Sequence, residues 1–168
     1  MIELFLGGAR SGKSRLAQQA ALESGLEVVF CATAQAFDEE MAQRIARHRA
    51  ERPASWRTVE EPLELASALA REAAPGRCLL VDCLTLWLSN LIFARFEDEI
   101  DALLALLPAL PGHLILVSNE VGWGIVPENE LARRFRDEQG RLNQRIAQIA
   151  DRVTLVAAGL PLRLKGGD

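Results

Sequence analysis

Residues Gly7-Gly8-Ala9-Arg10-Ser11-Gly12-Lys13-Ser14 carry the spacing G-x-x-x-x-G-K-[ST]. That spacing suits the cradling of a polyphosphate. Gly7, Gly8 and Gly12 let the backbone curl until successive N–H groups point inward, and a helix opening at Lys13 adds its positive end. Lys13 then supplies a point charge for the β- and γ-phosphates, and the Ser14 hydroxyl is a ligand for Mg2+. The competing reading is a glycine-rich turn with a surface lysine. A phosphate loop also needs an acid near the metal. Asp82, which ends the apolar run Cys78-Leu79-Leu80-Val81, is one candidate, and Glu120, after the apolar run Leu114–Val117, is another. Either could take the proton of an attacking hydroxyl, and either could be only a helix cap or a first-turn carboxylate.

Five arginines, Arg44, Arg47, Arg49, Arg52 and Arg57, lie between Met41 and Glu60 against only Glu51 and Glu60. Arginine recognises phosphate bidentately, which lysine does not. If Arg44-Ile-Ala-Arg-His48-Arg-Ala-Glu-Arg-Pro53 is helical, Arg44, His48 and Arg52 share one face. A neutral imidazole is a competent nucleophile toward phosphorus, and flanking guanidiniums would neutralise the phosphate and favour the neutral ring. The residues alone equally admit a solvated helix face carrying a partly exposed structural histidine. His113, the other histidine, follows Pro111-Gly112 and reads as a turn residue.

These groups must be positioned by a scaffold, and apolar patterning outlines it. Short apolar runs at 2–6, 27–32, 78–81, 114–117 and 153–157 read as strands, with a further short strand at 56–59. Helical patterns lie between them at 13–24, 38–51 (capped by Asp38), 62–73, 84–93, 97–107 and 128–150. The strands are apolar throughout rather than alternating, so the pattern predicts a mostly parallel sheet covered by helices on both faces. In such sheets ligands sit at the carboxyl ends of the strands, where the phosphate loop, Asp82 and Glu120 fall.

With 168 residues the chain is expected to form a single domain, residues 1–168. A composition 49% hydrophobic and 25% charged argues against disorder. A net charge of −4 disfavours nucleic acid or a membrane surface as the main partner. No apolar run is long enough to span a bilayer, and no signal peptide is evident at the N-terminus. Cys31, Cys78 and Cys83 fall in apolar stretches and read as reduced core thiols, which suggests the cytoplasm. The segment Leu84–Phe93, with Trp87 and Leu91, is either a core helix or an oligomer surface.

Taken together, several segments resemble one family. They are Gly7–Ser14, Ala32-Thr33-Ala34, Arg44–Pro53, Trp56-Arg-Thr-Val-Glu60-Glu-Pro62, Val81-Asp-Cys-Leu-Thr-Leu-Trp-Leu-Ser-Asn90, Val117-Ser-Asn-Glu-Val-Gly122, Ile125-Val-Pro127, Arg133–Glu138 and Gly140-Arg-Leu-Asn-Gln144. The family is the bifunctional adenosylcobinamide kinase/adenosylcobinamide-phosphate guanylyltransferase of cobalamin biosynthesis. The resemblance covers nearly the whole chain, and its most specific parts are the histidine segment and Asn119-Glu-Val-Gly122.

The resemblance implies a P-loop NTPase α/β fold of the RecA-like kind and a homotrimer. It implies two reactions that use ATP or GTP as substrates with Mg2+ or a similar divalent cation. In the first, a nucleoside triphosphate phosphorylates the aminopropanol hydroxyl of adenosylcobinamide. In the second, the histidine matching His48 takes GMP from GTP and passes it to adenosylcobinamide phosphate. Nucleotide contacts carry over to Gly7, Gly8, Ala9, Arg10, Ser11, Gly12, Lys13 and Ser14, to Ala32, Thr33 and Ala34, to Arg49, Ala50, Glu51 and Arg52, to Glu60 or Glu61, and to Asp82. Two further readings compete: a simple small-molecule kinase in which His48 is structural, and a nucleotide-binding switch without turnover of a small molecule.

Overall fold

The computed structural model describes residues 1–36, 38–50 and 52–167, with Arg44 and His48 described by their backbone alone. In chain order the elements are β1 (Ile2–Gly7), α1 (Lys13–Glu23), β2 (Glu27–Ala32), α2 (Glu39–Ala50), β3 (Arg57–Glu60), α3 (Leu65–Glu72), β4 (Arg77–Asp82), α4 (Leu84–Ala94), α5 (Asp98–Leu106), β5 (His113–Asn119), α6 (Glu130–Ile149), β6 (Arg152–Ala157) and β7 (Leu160–Lys165). The strands form one seven-stranded sheet in the order β3-β2-β4-β5-β1-β6-β7. Every pairing is parallel except that of β6 with β7.

The all-apolar strands are explained by burial on both faces. Alternate residues of β1, β2, β4 and β5 point to opposite sides, as the pleat requires. Leu4, Leu6, Val29, Cys31, Leu79, Val81 and Leu116 pack against Leu65 of α3, Trp87 and Leu91 of α4, Leu103 of α5 and Ile146 of α6. Phe5, Val28, Phe30, Leu80, Ile115 and Val117 pack against Ala17 and Ala21 of α1. The small residues of α1 bring its axis close to the sheet, which draws its first turn toward the end of β1. Cys31, Cys78 and Cys83 are buried free thiols; burial pushes Cys31 up to about 12 and the other two up to about 11. Among the described residues no helix is long and apolar enough to cross a membrane.

The expected elements form with shifted ends, and three expectations need correction. Of the two readings of Leu84–Phe93, the core one holds for Trp87 and Leu91, which are fully buried, while Phe93 at the end of the segment is exposed. Helix α3 starts at Leu65 rather than Pro62, because Glu61 Oε1 accepts hydrogen bonds from the N–H groups of Leu63 and Glu64 and winds a turn first. Strand β7 is not among the expected elements. Its hairpin turns at Ala158 and Gly159, with φ of 51° and 79°, the pair of positive angles that a two-residue hairpin favours. Pro161 is tolerated because β7 is an edge strand.

The third correction concerns His113. It opens β5, is buried, and places Nε2 2.9 Å from Glu3 Oε1, so it is not a turn residue. The hydrogen bond to His113 holds the Glu3 carboxyl below its ordinary range, against the opposing effect of burial, with help from the Arg152 and Arg163 charges. A depressed carboxyl contributes stability above its unfolded value, about pH 4.3, that is lost as pH falls through the folded value. Glu3→Gln is therefore expected to cost about 1–3 kcal/mol at pH 7 and much less at pH 3. Urea titrations at both pH values check this, and an equal loss at both would rule out the carboxylate as its source.

Candidate active site

Strand register assembles the site. Gly7 of β1 aligns with Asn119 of β5, while Ala32 of β2 aligns with both Asp82 of β4 and Glu60 of β3. All five residues end parallel strands, so the segments that follow them emerge along one edge of the sheet.

The phosphate loop joins β1 to α1. Gly12 caps α1 with φ 94°, and Arg10 also has a positive φ of 56°. A side chain at Gly7 would place its Cβ 2.5 Å from both Ser11 Oγ and the Val156 carbonyl, so only glycine fits there. Lys13 folds back over the loop and donates from Nζ to the Gly8 carbonyl at 3.1 Å. The Gly159 N–H donates to the Ser11 carbonyl at 2.8 Å. The β6–β7 hairpin thus buttresses the loop from outside. Ser11 Oγ is buried without a hydrogen-bond partner.

Lys13 is only 8% exposed, and burial lowers its pKa while the nearby charge of Asp82 opposes that shift. The same carboxylate acts on Arg52. Asp82 therefore faces the loop electrostatically. The N-cap position of α4 is Cys83, one residue past Asp82. Glu120 is not a helix cap. Helix α6 starts at Glu130 and is capped by Asn129, whose side chain accepts from the Ala132 N–H at 3.0 Å. Glu120 instead donates its N–H to the Gly7 carbonyl at 3.0 Å and accepts from the Gly122 N–H at 3.1 Å.

Thr33 is fully buried. Its hydroxyl donates to the Cys83 carbonyl at 2.7 Å and accepts from the Cys83 N–H at 3.1 Å. Asn90 of α4 donates to the carbonyls of Thr33 and Pro62 at 2.8 and 3.1 Å. The Thr33 side chain is thus a tie between loops. Glu60 and Glu61 now differ. One carboxylate oxygen of Glu61 is committed to the turn before α3, whereas Glu60 is exposed and pairs with Arg49 at 3.4 Å across solvent. Such an exposed pair is worth little and is easily displaced.

The expectation of Arg44, His48 and Arg52 on one helical face is overturned at Arg52, because α2 ends at Ala50. Arg52 turns inward instead. Its guanidinium lies 3.5 Å from the Phe30 ring centroid and donates to Thr58 Oγ1 at 3.4 Å. Glu51 lies outside the described residues, as do the side chains of Arg44 and His48; the backbone places position 48 in the last turn of α2.

A buried polar network behind the loop escapes the sequence pattern. Gln139 donates to Ser118 Oγ and Asn143 Oδ1, Ser118 donates to Asn143, and Asn143 donates to the Asn119 carbonyl. Thr85 accepts from the Asn119 N–H at 2.8 Å, and Asn119 Oδ1 is buried and unpaired. Its one sequence signal is Gln139 and Asn143 at i, i+4 in an amphipathic helix. The network fixes the end of β5 beside Gly7. Among the described residues no three His, Cys, Asp or Glu side chains cluster as a metal site. Ser14 and Asp82 instead offer the few hard oxygen donors that Mg2+ takes when phosphates complete its shell.

Comparison with known proteins matches this arrangement. The sequence profile of the family described as CobU, cobinamide kinase / cobinamide phosphate guanyltransferase, matches residues 3–164. The chain is 61% identical over 170 residues to the bifunctional adenosylcobalamin biosynthesis protein CobP of Pseudomonas aeruginosa, covering 99% of this chain and 98% of that protein. It is 43% identical over 182 residues to the bifunctional adenosylcobalamin biosynthesis protein CobU of Salmonella typhimurium, covering 98% of this chain and all (100%) of that one. The CobU protein of Escherichia coli is 41% identical over 182 residues, with 98% and 100% covered. A Pyrococcus horikoshii OT3 structure from project PH0250 superposes with a TM-score of 0.56 at 12% identity, covering 99% of this chain and 87% of that one, and so shares its fold. With a family match across almost its whole length and a phosphate loop facing Asp82 along one sheet edge, the chain belongs to the cobinamide kinase / cobinamide phosphate guanyltransferase family.

Proposed function

We propose that this protein catalyses both reactions of its family in cobalamin biosynthesis. It phosphorylates the hydroxyl of adenosylcobinamide with ATP or GTP. It then transfers GMP from GTP to adenosylcobinamide phosphate, giving adenosylcobinamide-GDP and pyrophosphate. The observation that carries the reading is the phosphate loop closed by Lys13 and faced by Asp82, in a chain 61% identical to a bifunctional relative.

In the kinase step the loop N–H groups and Lys13 hold the phosphates. Asp82 or Glu120 takes the proton of the attacking hydroxyl. Ser14 and Asp82 would hold a Mg2+, which would supply charge neutralisation at the phosphate oxygens. In the transferase step His48 attacks the α-phosphorus of GTP; a P–N bond forms and the α–β P–O bond breaks, releasing pyrophosphate. An oxygen of adenosylcobinamide phosphate then attacks the same phosphorus, the P–N bond breaks, and His48 is restored. This route splits one displacement into two. Guanine is gripped by the chain after His48, Arg49–Arg52, and by Glu60, whose carboxylate is free to accept from N1 and N2 once Arg49 swings away. The reading includes a homo-oligomer, by resemblance a trimer, in the cytoplasm. The exposed Leu160, Leu162 and Leu164 of β7 support the assembly, and the three free buried thiols fit the compartment.

The reading is tested by incubating the protein with α-labelled GTP and Mg2+, then with adenosylcobinamide phosphate. Label retained on denatured protein and then passed to the corrinoid supports it; label that never leaves GTP overturns the transferase half. Asp82→Asn is expected to raise the Mg2+ needed for half-maximal rate in both reactions by about tenfold to a hundredfold. A Mg2+ titration at saturating nucleotide measures this. An unchanged midpoint would leave Asp82 as a charge partner of Lys13 and Arg52 only.

A further inference from the structure

We propose that the loop between β5 and α6 seats the corrin macrocycle of the acceptor, with Trp123 as its principal contact. This rests on the function proposed above and adds a location that the nucleotide machinery leaves open. The loop starts at the phosphate loop, where Glu120 donates its N–H to the Gly7 carbonyl at 3.0 Å. Its far end is held by the Asn129 cap and by Arg133, which donates to the Pro127 carbonyl at 2.9 Å. Between these anchors Trp123 is 76% exposed, Ile125 97% and Val126 58%. Three large apolar side chains on a segment tied at both ends are a surface awaiting a partner.

Position and size select that partner. Three residues of chain reach at most about 11 Å, so Trp123 lies within that distance of Glu120 beside Gly7. The acceptor's reacting hydroxyl sits on a short aminopropanol tail, while its macrocycle is broad and flat. A hydroxyl delivered to the γ-phosphate must leave the ring just outside the phosphate loop, where this loop stands. An indole can lie against such a flat ring. Asn129 also borders an apolar groove of about 240 Å³ between α4 and the first turns of α6, lined by Phe93, Leu131 and Phe135. That volume is below the range for a whole drug-sized ligand and suits a substituent at the ring edge. A second copy of the chain is the other candidate occupant. For a copy the leucines of β7, on the free sheet edge, offer a longer strip.

The experiment compares Trp123→Ala and Trp123→Phe with the parent protein in three measurements. These are kinase kinetics against adenosylcobinamide, labelling by α-labelled GTP without corrinoid, and sedimentation. The expected result for Trp123→Ala is a KM for adenosylcobinamide raised about tenfold to a hundredfold with little change in kcat, because the macrocycle no longer buries its face against an indole. Trp123→Phe should recover most of the loss. Labelling and sedimentation should not move, since neither involves the corrinoid. An unchanged KM overturns the proposal. So does a raised KM accompanied by a lighter sedimenting species, which would assign the loop to contact between copies. Failure of the parent protein to phosphorylate adenosylcobinamide would overturn the functional reading itself, whereas normal parent turnover with an unchanged variant overturns this assignment alone.

Discussion

Lys13→Ala is expected to lower kinase turnover by about a hundredfold or more, the loss seen when a preorganised electrostatic donor is removed from a developing charge. Lys13 is the first residue of α1, its Nζ closes over the loop onto the Gly8 carbonyl, and it is almost fully withdrawn from water. In such a setting a charge acts on phosphate with little solvent screening. The loop N–H groups survive the substitution, so nucleotide should still bind, more weakly. The fold should survive as well, because burial disfavours the Lys13 ammonium and Arg52 remains as a partner for Asp82. Lys13→Arg is not expected to rescue turnover, since a planar fork cannot replace a compact ammonium folded over the loop. Steady-state kinetics beside a thermal melt decide the matter. Near-normal turnover in a folded Lys13→Ala would show that the phosphate loop does not host the transfer.

The sheet and the phosphate loop are legible in the sequence because their signals are local. An apolar run ending at Gly7 and followed by Gly12-Lys13-Ser14 needs only neighbours in sequence to be read. The topological rule about strand ends then marks Asp82 and Glu120. What escapes depends on long-range partners. His113 looks like a turn residue until Glu3, which is far away in sequence, is seen 2.9 Å from its ring. Arg52 looks like a third helical position until the helix stops at Ala50 and the guanidinium finds Phe30. Strand β7 hides behind Pro161, a residue that argues against strands except at an edge, and nothing local says that this strand is the edge. Glu60 and Glu61 are adjacent and chemically alike, and only the turn before α3 distinguishes them.

His48→Ala is expected to abolish labelling by α-labelled GTP and the transferase reaction, while phosphorylation of adenosylcobinamide continues. The two chemistries separate because phosphoryl transfer requires the phosphate loop, an acid and the metal, none of which His48 supplies. Position 48 is in the last turn of α2, and Arg52 returns the chain to Phe30, Thr58 and the field of Asp82. Four residues span at most about 14 Å, so the histidine is tethered within that distance of a residue at the sheet edge. Fixing Arg52 therefore limits how far the nucleophile can stray from GTP. The adduct should be labile in acid and stable in alkali, since protonating the ring nitrogen of a P–N bond makes imidazole a good leaving group. Its formation should fall in acid, because only the neutral ring carries the attacking lone pair. Mass spectrometry of GTP-treated protein locates the GMP. An adduct on Lys13, or one that persists in His48→Ala, would remove His48 from the mechanism. Equal loss of both activities in a well-folded His48→Ala would mean that one coupled site serves both reactions, with α2 closing over the phosphate loop in each.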